Sequence, residues 1–179
     1  MIGRFEMKTR NAFATLMICI VLALTIATVV NVYKASAQSI AECRKSVTGT
    51  YLYTTNSGNL GSFRGILTLA QDGNAISTAS IQSTGAPPSS QPFGDQQGSW
   101  KCTSNSEITS IVLNFNYSTA TVPGSITRSD TRAKVDPKTG AIQGTTTGRT
   151  FALNANPLVD DAPVSGTFTF TGQRVEPRR

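Results

Sequence analysis

The segment Val164–Val175, with the sequence VSGTFTFTGQRV, decides the fold class of this chain. Phe168 and Phe170 fall on one face of an extended strand, together with two glycines, and threonines occupy the positions between them. Because successive side chains of a β-strand point to opposite faces, this pattern predicts a strand that buries its phenylalanines and exposes its threonines. No stretch after Thr48 places apolar residues at helical spacing.

Seven further segments of the same kind precede this strand, separated by Gly, Asn, Asp and Pro. The eight predicted strands lie near Gly49–Thr55, Gly61–Ala70, Ala75–Gln82, Gln97–Thr103, Ser110–Tyr117, Ile126–Val135, Ile142–Phe151 and Val164–Val175. Asp72-Gly73-Asn74 is a hairpin-turn signal. The connection Thr84–Asp95 contains three prolines and is predicted to be an irregular loop.

The fifth predicted strand shows the clearest alternation, since Ile111, Leu113, Phe115 and Tyr117 share one face. We expect that face to be buried and the face with Ser110, Asn114 and Asn116 to be exposed. The seventh strand begins with Ile142 on its even face and ends with Phe151 on its odd face. A β-bulge near Gly144 or Gly148 would supply this change of phase.

Eight such strands in an open sheet would leave two exposed edges, and closing the sheet removes both. The predicted fold is therefore all-β: a single antiparallel meander β-barrel of about eight strands, with a two-sheet β-sandwich as the alternative. The interior of an eight-stranded barrel is either filled by side chains or holds one small ligand. The sequence leaves both possibilities open.

The composition excludes several classes of function. The 179 residues suffice for one ordinary domain, and histidine is absent. Without histidine there is no Ser-His-Asp or Cys-His catalysis and no His-ligated zinc site. We predict no metal site, no cofactor and no catalytic residue, and we treat enzymatic activity as open, with binding as the favoured interpretation.

The N-terminal residues 1–37 have the organisation of a secretory signal peptide. A basic start precedes an apolar stretch at about residues 12–32, and Ala35-Ser36-Ala37 offers a small-residue cleavage site. An uncleaved signal anchor is the alternative, because the apolar stretch approaches the length that crosses a bilayer. Residues 38–47 then form a lead-in, residues 48–175 the barrel domain and residues 176–179 a tail, all predicted to be periplasmic, extracellular or at the cell surface.

Much of the positive charge lies in the signal segment. The whole chain carries a formal charge of +6, and its remainder after residue 37 carries 12 Lys and Arg against 9 Asp and Glu. The basic residues of this remainder are scattered, so we predict no nucleic-acid partner. Contact with a membrane is expected only through residues 12–32, if these are not removed, and oligomerisation is left open.

Two cysteines, Cys43 and Cys102, follow the signal segment. An even pair in an oxidising compartment predicts one disulfide. A redox-active thiol would need a C-x-x-C motif or a basic partner close in sequence, and the chain offers neither.

Two resemblances to known families follow from these residues. Gly98-Ser99-Trp100 forms a G-x-W motif on a strand and resembles the motif of lipocalins, which implies that Arg174 covers Trp100 by a cation-π contact. The short Thr- and Gly-rich strands of the whole domain resemble calycin-type barrels similar to allene oxide cyclases and dirigent proteins. That resemblance implies a barrel with an apolar cavity, used for cyclisation in some relatives and for binding in others.

The sequence predicts an exported barrel that binds a small, largely apolar molecule or packs against an envelope partner. The alternatives are a cofactor-free cyclase or isomerase, assisted by a tyrosine or by a carboxylate such as Asp95 or Glu107, and a structural or adhesive surface domain with a filled core. The predicted ligand-lining side chains are the aromatic residues Tyr51, Tyr53, Phe63, Trp100, Phe115, Tyr117, Phe168 and Phe170. Ordinary core packing accounts for the same residues.

Overall fold

The computed structural model describes residues 38–56, 61–85, 91–159 and 161–177. The predicted signal segment lies outside the described residues. A helix, α1, occupies residues 38–47. The strands that follow are β1 (Gly49–Asn56), β2 (Ser62–Leu69), β3 (Asn74–Ala79), β4 (Gln96–Cys102), β5 (Glu107–Asn116), β6 (Ser125–Val135), β7 (Ala141–Ala152) and β8 (Val164–Arg174).

The eight strands form a closed antiparallel barrel with meander topology. Each strand pairs with the next, and β1 also pairs with β8 through registers such as Leu52↔Gln173 and Thr54↔Thr171. This closure confirms the predicted all-β barrel and excludes the two-sheet sandwich. It also leaves no strand of the barrel with a free edge. The architecture is consistent with a calycin-type barrel.

The two ends of the barrel differ. At one end, called here the closed end, α1 leads into β1, and short turns join β2 to β3, β4 to β5 and β6 to β7. The four remaining connections lie at the opposite end, called here the open end. They include the long connections from β3 to β4 and from β7 to β8.

The helix α1 is fastened to the closed end by its buried face. Cys43 and Val47 lie one helical turn apart and are both fully buried. Cys43 forms a disulfide with Cys102 of β4, which confirms the predicted pair. The Tyr51 hydroxyl donates a hydrogen bond to the Val47 carbonyl, and the Arg174 guanidinium donates to the Tyr51 hydroxyl at 2.8 Å. The last turn of α1 is thereby joined to both β1 and β8.

The apolar core fills the closed half of the barrel. Its residues come from α1 and from the strand segments nearest to it. They are Cys43, Val47, Tyr51, Leu67, Leu69, Ala75, Trp100, Cys102, Ile108, Val112, Ala133, Val135, Ile142 and Phe170. Among the residues that the structure describes, the largest fully buried side chains all lie in α1 or toward the closed end, so this half supplies most of the tight packing.

The expected orientation of β5 is wrong. Ile111 and Phe115 are 44% and 60% exposed, whereas Ser110 and Asn114 are buried. The odd-numbered face of the strand therefore points outward, and the even-numbered face, which includes Ile108, lines the interior.

The orientation of β5 follows from its pairing with β4. Trp100 and Cys102 must face inward, because one is a large ring at the closed end and the other bonds to α1. Trp100 pairs with Ser110, and Cys102 pairs with Ile108. Paired residues of adjacent strands share a face, so the even residues of β5 are carried inward.

The register shift predicted near Gly148 is present, but it does not bring Phe151 inside. The shift lies between Gly148 and Arg149 in the pairing of β7 with β8, while the pairing of β6 with β7 is regular throughout. Phe151 stays on the outer face, where the Arg128 guanidinium carbon lies 5.6 Å from its ring centroid. Phe151 is 5% exposed without joining the main core.

Candidate ligand-binding interior

The candidate site is the open half of the barrel interior. In a closed barrel of eight strands, strands four places apart in the order face each other across the interior. Strands β5 and β6 therefore face β1 and β2. The inward side chains of these opposing strands differ in their predominant chemistry and are of two kinds, although the aromatic side also carries the buried hydroxyl of Thr55.

The first kind forms what we call the polar wall, built by β5, β6 and β7. Its members carry a hydroxyl or a carboxamide, and they lie on the same inward face of these strands as the core residues nearer the closed end. They are Ser110, Asn114, Asn116, Thr127, Ser129, Thr131 and Thr146. Ser110, Asn114, Ser129 and Thr131 are each at most 9% exposed.

Hydrogen bonds join members of the polar wall in two groups. Asn114 Nδ2 donates to Asn116 Oδ1 at 3.0 Å, and Asn116 Nδ2 donates to Ser125 Oγ and to Thr127 Oγ1, both at 2.8 Å. Deeper in the barrel, the hydroxyls of Thr131 and Thr146 lie 2.8 Å apart. These bonds fix the side-chain orientations, and hydroxyls and carboxamides offer both donors and acceptors to a guest.

The second kind forms what we call the aromatic wall: Tyr53, Phe63, Phe168 and Phe170, from β8, β1 and β2. Tyr53 and Phe170 meet edge to face with ring centroids 5.6 Å apart. The Tyr53 ring lies across Gly65, where an added Cβ would be 2.3 Å from it, and its hydroxyl is 3.0 Å from Ser77 Oγ.

Burial raises the pKa of Tyr53 above its ordinary value of 10.0, and the hydrogen bond with Ser77 partly offsets this rise. Tyr53 is therefore a neutral phenol at physiological pH. It contributes a ring and a hydroxyl to the interior, and no charge.

Two facing glycines leave room between the walls. Gly148 of β7 pairs with Gly166 of β8 in the open half. Gly148 is buried, yet a Cβ built on it would meet no atom closer than 3.4 Å. The Phe168 ring lies over Gly166, 2.9 Å from the corresponding position. A Cβ at Gly148 would therefore make only ordinary van der Waals contacts, so the strand accommodates a side chain at this position.

A buried glutamine joins two of the connections at the open end, the one from β3 to β4 and the one from β5 to β6. Gln91, 8% exposed, donates from its Nε2 to the carbonyls of Tyr117 and Pro123 at 3.0 and 2.9 Å. Gly94 N also donates to the Phe115 carbonyl at 2.9 Å. The end of the β3–β4 connection is therefore fixed against the β5–β6 connection at one side of the opening.

The described ionised side chains lie outside this half of the interior. Asp130 sits on the outer face of β6, where it accepts hydrogen bonds from Arg128 and Arg149 at 3.1 Å. Asp95 and Glu107, considered above as acid or base groups, are exposed. Asp95 accepts a hydrogen bond from Gln82, and Glu107 pairs in register with Lys134.

The predicted ligand-lining residues fall into three groups. Tyr53, Phe63, Phe168 and Phe170 share the interior face of β1, β2 and β8, and Phe170 belongs to the core, against which Tyr53 packs. Tyr51 and Trp100 belong to the filled closed half, where Trp100 Nε1 donates to the Ala70 carbonyl at 2.9 Å. Phe115 and Tyr117, 60% and 56% exposed, lie on the outside of the barrel.

The contact implied by the lipocalin resemblance is made with a different ring. Arg174 lies over Tyr51, with its guanidinium carbon 5.4 Å from the ring centroid, and also donates to the Ser46 carbonyl. The Trp100 N–H instead donates a hydrogen bond to the Ala70 carbonyl in the β2–β3 turn. Arg174 thus covers Tyr51, which is its register partner in the pairing of β1 with β8.

Sequence reasoning missed the polar wall. Ser110, Asn114 and Asn116 were assigned to the solvent face because their neighbours Ile111 and Phe115 are more apolar. The available signal was the phase of Ile108 and Val112, which share the face of Ser110 and are both buried.

An open depression of about 810 Å³ also crosses the outer side of β5–β8. Its rim includes Arg132, Lys134 and Gln143, which are long, exposed side chains. Side chains of this kind are not held in fixed positions, whereas those of the polar wall are hydrogen-bonded. We therefore place the candidate site in the interior.

No family model matches this chain, and comparison with curated proteins and with solved structures also finds no match. Within residues 38–56, 61–85, 91–159 and 161–177, no helix has the length and apolar character needed to cross a membrane. The same described ranges contain no cluster of three or more Cys, Asp or Glu side chains that would hold a metal ion.

Proposed function

We propose that this protein is an exported binding protein that holds a small molecule in the open half of its barrel. The observation that carries the proposal is the buried polar wall opposite an aromatic wall. Burying hydroxyls and carboxamides costs free energy unless they are hydrogen-bonded, and apolar residues would fill a purely structural interior more favourably. Small-molecule sites combine apolar surface with a few placed polar groups.

Export is supported by two independent features. Residues 1–37 have the organisation of a signal peptide. The disulfide between Cys43 and Cys102 is the bond expected of a protein that leaves the reducing cytoplasm.

The ligand contacts both walls in this proposal. The aromatic wall provides the apolar contact expected from the sequence, and the polar wall orients the guest. A carboxylate-assisted cyclase is not proposed, because the Asp and Glu side chains that the structure describes point away from the interior. The packed closed half gives the site a floor rather than a channel through the barrel.

Native mass spectrometry of the protein purified from its own host tests this proposal. We expect a co-purifying small molecule that is released on denaturation. The variant Gly148→Phe should remove the bound mass, because its ring would occupy the space beside Gly148. The matched control is Thr145→Phe, which adds the same ring to the exposed outer face of the same strand.

The control should retain the bound molecule. If the wild-type protein carries no small molecule, or if both variants retain it equally, the interior is not the binding site. Circular dichroism of both variants establishes whether loss of the ligand reflects loss of the fold.

A further inference from the structure

The charges of the protein are distributed unevenly between its two surfaces. Arg128, Asp130, Arg132 and Lys134 alternate along the outer face of β6, while Thr127, Ser129 and Thr131 face inward, followed by Ala133 and Val135 at the closed end. The same strand thus presents ions to solvent and no ionised group to the interior. Across the barrel, the aromatic wall also carries no ionised group, since Tyr53 is neutral.

A charged guest would find no counter-ion in this site. An ion taken from water into a buried environment needs an opposite charge or several hydrogen bonds directed at it, or it pays a large desolvation cost. Arg174, the cation on the inward face of β8, lies at the closed end, where its Nη2 donates to the carbonyl of Ser46 and the hydroxyl of Tyr51 and its buried Nε has no partner. The walls therefore select against anions and cations alike.

A purely apolar guest would satisfy only one side of the interior. It would pack on Tyr53, Phe63 and Phe168, but it would not use the donor and acceptor capacity that Asn114, Ser129 and Thr146 retain beyond their bonds within the protein. A guest with hydroxyl or amide groups on the facing edge gains those additional hydrogen bonds, so it should bind better than a purely apolar one.

Resting on the proposed function, we infer that the ligand is an uncharged cyclic molecule with one apolar ring face and an edge of hydroxyl or amide groups, the chemistry of a neutral sugar or glycoside. The apolar face lies on the aromatic wall. The polar edge exchanges hydrogen bonds with the carboxamides and hydroxyls of the polar wall, which both donate and accept.

A matched set of small-molecule probes tests the inferred class of ligand. The isotope-labelled protein, expressed at full length and processed as its host processes it, is titrated with phenyl β-D-glucopyranoside, phenyl β-D-glucuronide, a phenyl glycoside of glucosamine, and toluene. Backbone amide chemical shifts of Asn114, Ser129 and Thr146 report entry into the interior. We expect the neutral glucoside to shift these amides and to bind at least about tenfold more tightly than the other three probes.

Two further outcomes separate the inference from the proposed function. If toluene or either charged glycoside binds as tightly as the neutral glucoside, the inference about the ligand class is overturned while binding in the interior stands. If none of the four probes shifts the interior amides, both the inference and the proposed function fail.

Variants of the polar wall provide a second test. Asn114→Leu should weaken the neutral glucoside by about tenfold, as expected for the loss of one or two hydrogen bonds, and should leave toluene unaffected. Thr146→Val keeps the side-chain shape and serves if Asn114→Leu does not fold. Gln143→Leu, on the exposed outer face, is the matched control. Equal weakening of the glucoside and of toluene would show a merely structural role and would overturn the inference.

Discussion

The disulfide between Cys43 and Cys102 should contribute strongly to stability, because it ties α1 to a strand that is distant in sequence. The two cysteines are 59 positions apart. In the chain-entropy description, closing a loop of this length stabilises the folded state by about 4 kcal/mol. The double variant Cys43→Ala/Cys102→Ala should lose about this free energy of unfolding, with a smaller additional loss from removing buried sulfur atoms.

The prediction becomes sharper when the single variants are included. Either single substitution breaks the same bond, so each should lose about as much stability as the double variant. In urea, with a slope of about 2 kcal/mol per molar, a loss of about 4 kcal/mol lowers the unfolding midpoint by about 2 M. Circular dichroism and tryptophan fluorescence report the transition, and Trp100 is well placed for the second because it lies in the core beside the bond.

Two results would contradict the prediction about the disulfide. A loss below about 1 kcal/mol in the double variant would show that the disulfide contributes little to the stability of the barrel. Losses that add, so that the double variant is destabilised by the sum of the single variants, would show that each cysteine acts through its own packing rather than through the shared bond.

Three further predictions concern the interior and the outer face. Gly65→Ala should lower the free energy of unfolding by about 1–3 kcal/mol, because its Cβ would overlap the Tyr53 ring. Gly148→Ala should change it by no more than about 0.5 kcal/mol. Equal losses in urea unfolding would contradict the room for a Cβ at Gly148. Burial raises the pKa of Tyr53, so the unfolded chain loses this phenolic proton at a lower pH than the folded protein does. The stability that the neutral phenol contributes is therefore present below pH 10.0 and declines as the pH rises above it. Tyr53→Phe should make this decline less steep in unfolding curves measured at alkaline pH. Phe170→Ala should cost about 3–5 kcal/mol and Phe115→Ala no more than about 0.5 kcal/mol by thermal unfolding, and a large loss at Phe115 would mean that another molecule covers it.

The features that the sequence predicted well are those governed by local chemistry. Asp72-Gly73-Asn74 forms a tight turn, with Gly73 at a φ of 96° and the amide of Asn74 bonded to the Asp72 carboxylate. Strand positions follow from such turns and from alternation within each segment. The disulfide could be predicted because only two cysteines follow the predicted signal segment, which leaves one pairing.

The direction in which a strand faces could not be predicted from that strand alone. β5 has apolar residues on both faces, and its odd-numbered face is the more apolar of the two. The choice is made by neighbours: β4 must direct Trp100 and Cys102 inward, and the register then directs Ile108 and Val112 inward as well. Register depends on all eight strands together, so a pattern read one segment at a time contains no information about it.

The division of the barrel into two halves explains how a domain of this size tolerates a polar interior. The fully buried large side chains, the disulfide and the contact of Arg174 with Tyr51 all belong to the half that α1 covers. Because stability is concentrated there, the open half is free to carry hydroxyls and carboxamides that add little to folding. Such a separation of stabilising and polar regions is expected where a binding site limits how well its own surroundings can pack. Under the proposed function, substitutions in the polar wall should therefore affect ligand affinity more than stability, while substitutions around α1 should do the reverse.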